Sequence, residues 1–344
     1  TLTAGLSRPF SGKLADKVGR IPVMIFGGAV CILAGVLYPV TGSVAAFLLL
    51  RFLHGFSTGF TPTGTSAYVA DVVPVEKRGE AMGLLGLSGS LGMAAGPALG
   101  GAIANQFSVN TMFYASSVAA FLSVLVLARM RETLDDPHRF RMGLLRISRH
   151  EIFEPRVWGP SFVMLFSTFA FGTILTIVPD FSSYLGIKNK GLFFTSFTVS
   201  SLAIRFLAGR ASDKYGRISV LRVSTGLLTV AMIMIGLCTS ATQLLLAGIL
   251  FGVAVGMNSP TVYAWTIDLS HVAHRGRAMA TMYIALEAGI GLGALCSGWL
   301  YSNTSANFAR TFWVAAACSA VAFLYLMVFS KKQLDQPLFI KKYL

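Results

Sequence analysis

The chain has 344 residues, of which 54% are hydrophobic and only 12% charged, with a mean hydropathy of +0.68 and a net charge of +14. That charged share is about half the usual one and cannot cover the surfaces of the two soluble domains that length alone would suggest. Disordered, collagen-like and disulfide-scaffold chains are excluded by the same balance, so the chain reads as an all-α membrane protein of many spans. Cys31, Cys238, Cys296 and Cys318 all lie in apolar runs and read as small core residues. The chain opens on Thr1 with neither an initiator Met nor a secretory signal, which reads as a start inside a longer architecture.

Apolar stretches between short polar loops predict spans at 1–12, 22–40, 44–70, 79–104, 108–128, 158–185, 190–211, 219–238, 241–268, 278–301 and 308–329. The first is too short for a bilayer and the other ten are long enough. A shift of 197 residues places Thr1, Arg8, Gly12, Asp16, Gly19 and Arg20 on Thr198, Arg205, Gly209, Asp213, Gly216 and Arg217. Without a gap it also pairs Asp71 with Asp268, Arg78-Gly79 with Arg275-Gly276, and Gly92, Gly96 and Gly101 with Gly289, Gly293 and Gly298. Two pseudo-symmetric six-helix halves follow. The first helix and part of the second are expected to be missing. The domains expected are a truncated first half at 1–129, a cytoplasmic linker at 130–157, a second half at 158–330 and a tail at 331–344.

Loops on the side of residues 12–20 carry 22 Lys and Arg against 3 on the other, so that side is cytoplasmic. The charge is spread over every second loop, which speaks against a nucleic-acid footprint. Arg8, Arg51 and Arg205 lie inside spans.

The loop Gly12-Lys-Leu-Ala-Asp16-Lys17-Val-Gly19-Arg20 recurs as Gly209-Arg-Ala-Ser-Asp213-Lys214-Tyr-Gly216-Arg217. Gly12 permits close backbone approach, Asp16 suits the positive end of a helix, and Arg20 offers a fork to a carboxylate. Such a loop can latch helix bundles on the cytoplasmic side. The doubled loop resembles the signature of the major facilitator superfamily, between its second and third helices and again between its eighth and ninth. The resemblance implies two six-helix bundles around a central cavity. Arg51-Phe-Leu-His54-Gly55 is similar to the Arg-x-x-Gln-Gly motif of proton-coupled members, with His54 in place of Gln. Gly92, Gly96 and Gly100 make one smooth helix face; with Pro97 and Gly101 they resemble the antiporter motif of drug/proton exporters, whose second-half copy has Ala294 in place of Pro97.

Acids inside spans are the candidate proton carriers, because a carboxyl group binds a proton more tightly when desolvated and less tightly beside an Arg. Glu287, whose repeat partner is Ser90, and Asp180, after Pro179, are the two candidates, with Arg51 as the group that biases the acid. A static tie between Glu287 and Arg205 is the alternative role for this acid. Asp180 alternatively sits wet at the outer mouth. Asp71 and Asp268 read as gate or capping residues. Phe52, Phe56, Asn258, Tyr263 and Arg205 are the candidate cavity residues.

No phosphate-cradling loop, nucleophile elbow or zinc-ligand cluster occurs, and His271 with His274 lacks further ligands, so neither an enzyme, a cofactor nor a metal site is expected. The resemblance implies a monomeric, multi-pass antiporter of the inner or plasma membrane. Its partners would be a small drug-like molecule or metabolite, protons and the lipid bilayer, with no nucleic acid. The alternative is a proton-coupled importer or facilitator of a sugar or organic anion, with Arg8, Arg51 and Arg205 holding the anion; the Pro97 motif opposes it. A non-transporting receptor or scaffold would have lost its in-span charges.

Overall fold

The structure, a computed structural model, describes residues 2–187, 189 and 191–334; the side chains of Met93, Ala94, Pro97, Ala98, Arg149, His150 and Phe206 and those from Phe329 onward are outside the description. Lys188, Lys190, Lys341 and Lys342, which entered the charge count, and most of the 331–344 tail therefore lie outside the described residues, as do Thr1 of the repeat and the side chains of Lys331 and Lys332. Helices run in the order α1 (Leu2–Lys17), α2 (Arg20–Leu37), α3 (Val44–Val72), α4 (Arg78–Gln106), α5 (Val109–Ala128), α6 (Arg149–Ile152), α7 (Trp158–Tyr184), α8 (Gly191–Tyr215), α9 (Arg217–Leu237), α10 (Ala241–Leu269), α11 (Arg275–Tyr301) and α12 (Phe308–Leu334). No strand occurs among the described residues.

Local chemistry sets several helix ends. Ser43 accepts the Ala46 N–H at the start of α3 (3.2 Å), and Ser108 accepts the Thr111 N–H at the start of α5 (3.0 Å). Gly19 and Gly216, at φ of 137° and 87°, stand immediately before α2 and α9. This backbone region is cheap only for glycine.

Among the described residues eight helices are long and apolar enough to span a membrane, or nine if α8, bent by 44°, counts as one span. The sequence predicts ten; α4, the remaining one, is as long as α3 at 29 residues but holds side chains outside the description. The first predicted span also differs. Helix α1 continues through Leu14 and Ala15 to Lys17, so Asp16 sits in a last helical turn instead of a loop, and Asp213 likewise lies within α8. Large apolar side chains face outward along these helices, including Leu48, Leu295 and Trp299, the last 81% exposed, which suits a lipid surroundings.

The chain divides into two compact units. Unit 1 comprises Thr1–Val75, Ser88–Trp158 and Thr266–Glu287; unit 2 comprises Glu76–Leu87, Gly159–Trp265 and Ala288–Leu344. In unit 1 a small core of Leu14, Ala15, Val23 and Phe60 lies beneath the α1–α2 corner. In unit 2 a larger core gathers Ile174, Phe193, Met232, Phe251 and Phe312 from α7, α8, α9, α10 and α12.

Candidate functional site

The repeated loop builds the same clamp twice. In unit 1 the buried carboxylate of Asp16 accepts the N–H groups of Gly276 (2.6 Å) and Arg277 (2.8 Å), the first residues of α11 after Arg275. In unit 2 Asp213 accepts those of Gly79 and Glu80, both at 2.9 Å, at the start of α4. The first N–H groups of a helix have no partner within it and carry partial positive charge, so a carboxylate satisfies both deficits. Arg20 and Arg217, each four residues on, pair with Asp16 (3.1 Å) and Asp213 and hold each carboxylate in place.

Glycines let the backbones cross. A Cβ on Gly12 would stand 2.7 Å from that of Ala280 and 3.0 Å from the Gly276 carbonyl oxygen. The Gly209 position is equally tight, 2.5 Å from the Gly79 carbonyl oxygen.

Around the unit 1 clamp, Asp71 accepts from Arg20 Nε (3.0 Å), from Arg275 and from Thr133 Oγ1 (2.7 Å). The segment after α5 contributes more than the sequence reading gave it. Glu132 accepts the N–H groups of Arg20 and Ile21, both at 3.0 Å, supplying the cap that Gly19 has no side chain to provide. Glu154, 4% exposed, pairs with Arg277 (Nε at 2.9 Å), and Glu151 with Lys13 (2.9 Å). Nothing in the sequence separates these acids from the solvated charges of a linker.

Burial pushes the Asp16 carboxyl up to about 6, against the opposing pull of Arg20 and of the Arg277 and Gly276 N–H groups. The folded chain therefore holds this proton more tightly than the unfolded chain does. The contribution of Asp16 to stability falls as pH rises from about 4 to about 6. Thermal unfolding at stepped pH should show this slope, and Asp16→Asn should flatten it. A slope unchanged in that variant would assign the titration to another group. The Ser148 N–H and Lys13 hold Glu151 at the opposite extreme, down to about 2.

Further along α1, Arg8 is 2% exposed and donates to the Gly59 carbonyl oxygen (3.2 Å) and to Thr63 Oγ1 (3.0 Å) of α3. Its guanidinium reaches Glu287 Oε1 at 3.4 Å and lies 4.2 Å from the centre of the Tyr283 ring, both on α11. Tyr283 Oη shares a hydrogen bond with Ser66 Oγ (3.0 Å). Within unit 1, therefore, Glu287 is paired with Arg8, where the sequence reading weighed Arg205 and Arg51. Arg205 lies in unit 2, its guanidinium against Gly86 of α4.

Arg51 is exposed on α3, and no ion pair among the described residues involves it. Its neighbour His54 shares a hydrogen bond with Tyr38 Oη (2.9 Å). Asp180 and Phe52 are exposed; Phe56 is half-buried, 6.4 Å from the Phe60 ring. Asn258 is buried and donates to Ser167 and Ser224, both at 3.3 Å, which ties α10 to α7 and α9. Tyr263 is half-buried. Lys17 and Lys214 are exposed at the ends of α1 and α8.

The smooth glycine face expected on α4 is not tightly packed among the described residues. A Cβ on Gly92, Gly96 or Gly101 would meet nothing within 4 Å, and one on Gly100 only Met112 at 3.5 Å. The Pro97 ring lies outside the described residues. Close packing occurs instead at the repeat position Gly293 on α11, whose Cβ would stand 2.9 Å from the carbonyl carbon of Phe169 on α7.

The sequence profile of the Major Facilitator Superfamily matches residues 1–193 and again residues 160–341. The chain is 28% identical over 335 residues to the multi-drug resistance efflux pump PmrA of Streptococcus pneumoniae, covering 95% of this chain and 83% of that protein. It is 23% identical over 315 residues to multidrug resistance protein 1 of Bacillus subtilis, covering 87% and 78%. In fold it is similar to the human organic anion transporter MFSD10 (TETRAN), with a TM-score of 0.81 at 19% identity over 94% of this chain and 81% of that one. With the profile matched across both copies of the clamp, the chain belongs to the Major Facilitator Superfamily and is a multi-pass membrane transporter.

Proposed function

We propose that the protein is a proton-coupled exporter of small amphipathic molecules, acting as a monomer in the plasma membrane. The observation that carries this reading is the pairing of Glu287, inside the membrane-spanning part of α11, with the buried Arg8 of α1 at 3.4 Å. An ionisable pair in hydrocarbon is costly and is retained where charge has work to do. Glu287 is the proton carrier. Arg8 takes the part that the motif resemblance assigned to Arg51, because it is the cation within reach. Asp180, exposed beside Pro179, stays outside the proton path. The Asp16 and Asp213 clamps hold the cytoplasmic side in one state of the cycle and release it in the other. Residues 1–129 and 158–330 act as the two halves, joined by 130–157. The relatives named as multidrug efflux and resistance proteins agree with export.

Everted membrane vesicles loaded acid inside, with a fluorescent lipophilic cation outside, test this. Dye should accumulate only while the pH gradient lasts, and a protonophore should release it. Glu287→Gln should lower accumulation to that of vesicles without the protein. Accumulation indifferent to the gradient would remove protons from the mechanism, and full activity in Glu287→Gln would remove this acid.

A further inference from the structure

Helices α9 and α12 pack against each other inside unit 2, and both are long and apolar enough to span a membrane. A cavity of about 330 Å³ opens between them, lined by Thr229 and Ile233 of α9 and by Trp313, Ala316, Ala317 and Ala320 of α12. The lining is apolar, and the one hydroxyl in it, that of Thr229, is bonded to the Thr225 carbonyl oxygen (2.9 Å). The half-exposed Trp313 ring leans over α9, where its Nε1 stands 2.6 Å from the place a Cβ on Gly236 would take. Water has too few polar partners in such a groove to settle there. Left unfilled, its walls would forfeit their dispersion contacts. In a bilayer the filler is hydrocarbon.

We propose that this groove holds an acyl chain of one anionic phospholipid, whose phosphate is received by Arg310. The proposal is independent of the direction and driving force of transport. Arg310 is exposed one turn before Trp313, and with Trp313 and Ala317 it shares one face of α12 at i, i+3 and i+7. From Arg310 to Ala320 the helix rises about 15 Å, which sets a headgroup contact and a chain contact on the same molecule. No ion pair among the described residues engages the Arg310 guanidinium. Asp180 of α7 precedes Phe181, whose ring packs on Phe308 (4.8 Å), yet it does not pair with Arg310. Residues 238–240 after α9 and 302–307 before α12 carry no charge. An Arg near the end of a span extends toward the headgroups, and its fork matches a phosphate. A Trp beside it belongs to the same interfacial level. A net negative headgroup answers the charge that this end of the helix pair leaves uncompensated.

The repeat sharpens the assignment, because the equivalent pair in unit 1, α2 and α5, lacks these features. The offset of 197 residues puts Phe113 and Ser116 at the positions of Arg310 and Trp313. Phe113 packs its ring on Tyr38, just after α2 (4.9 Å). A Cβ on Gly35 of α2 would stand 2.2 Å from Ser117 Oγ and 3.1 Å from the Phe113 carbonyl oxygen, so α2 and α5 are in close contact at that level. An aromatic ring therefore stands in unit 1 where unit 2 offers a cation, and the lipid site belongs to unit 2.

Trp313 reports the groove in the full chain reconstituted in phosphatidylcholine vesicles, its emission taken as the difference between the parent protein and Trp313→Phe. Phosphatidylglycerol with brominated acyl chains should quench that emission as if enriched about fivefold over brominated phosphatidylcholine at the same low mole fraction, the preference that one Arg confers on an anionic lipid. Arg310→Gln should bring quenching by the anionic lipid down to the phosphatidylcholine level. Ala317→Leu, which fills the groove and leaves Arg310 in place, should do the same. Equal quenching by the two lipids in the parent would overturn the proposal, as would a preference that survives in either variant. Relief of the quenching by tetraphenylphosphonium would make the groove a site for a lipophilic cation instead. Quenching that falls as the protein-to-lipid ratio rises would make it a contact between copies of the chain. Either result also overturns the proposal.

Discussion

Arg8→Met should unfold well below the parent protein, whereas Arg8→Met combined with Glu287→Gln should recover at least half of the loss. Arg8 is 2% exposed and the Glu287 side chain 13%, so the single substitution strands a carboxylate where water hardly reaches it. Breaking a buried pair by removing one partner costs about 3–5 kcal/mol, while replacing both members by neutral groups of similar volume is often close to neutral. For a chain of this size the single variant should melt lower by on the order of 10 °C. Thermal unfolding in one detergent at pH 7.5 measures both variants. Equal melting of the single and double variants would show that Glu287 does not depend on Arg8. The result also bears on transport, because the same pair is the proposed proton site. A double variant that is stable yet inactive separates the functional need for the charges from their part in folding.

Gly276→Ala and Gly291→Ala, two identical substitutions on α11, should move stability in opposite directions. At Gly276 the added methyl would stand 2.6 Å from the Gly12 carbonyl oxygen, 2.8 Å from Ala15 Cβ and 2.8 Å from Asp16 Oδ1. The nearest of these is backbone, and Ala15 is fully buried, so α11 must move off α1. Overpacking of this kind costs about 1–3 kcal/mol. At Gly291 the methyl would meet nothing within 4 Å. There the helical preference of alanine should add about 0.5–1 kcal/mol. The Gly276 variant should also lose transport, since its clamp can no longer close. A neutral Gly276→Ala would mean that the crossing is looser than its backbone distances state.

Much of this molecule is legible in the chain. Helix positions and the doubled loop are local or periodic properties. Hydropathy and a gap-free offset report them without reference to any distant residue. Glu287 stands out for the same reason, as an acid in an apolar run. Where helices end is less legible. The run through Leu14, Ala15 and Lys17 stays helical up to Gly19, which brings Asp16 into the helix and within reach of α11.

What only the tertiary structure decided is partnership. Arg8, Arg51 and Arg205 are equally conspicuous in sequence, yet it is Arg8 that meets Glu287, 279 positions away, because α1 lies along that stretch of α11. Glu132 and Glu154 read as ordinary linker charges until folding lays them on the start of α2 and on Arg277. Among the described residues nothing lies within 4 Å of a Cβ on Gly92, Gly96 or Gly101 of α4, while the crossings of Gly12 with Gly276 and of Gly209 with Gly79 are tight. The physical reason is common to all three. The cost of placing a charge or a missing side chain in hydrocarbon is a property of the residue and its immediate neighbours. The group that relieves that cost is set by which helices pack together, a matter of distance across the fold and not along the chain.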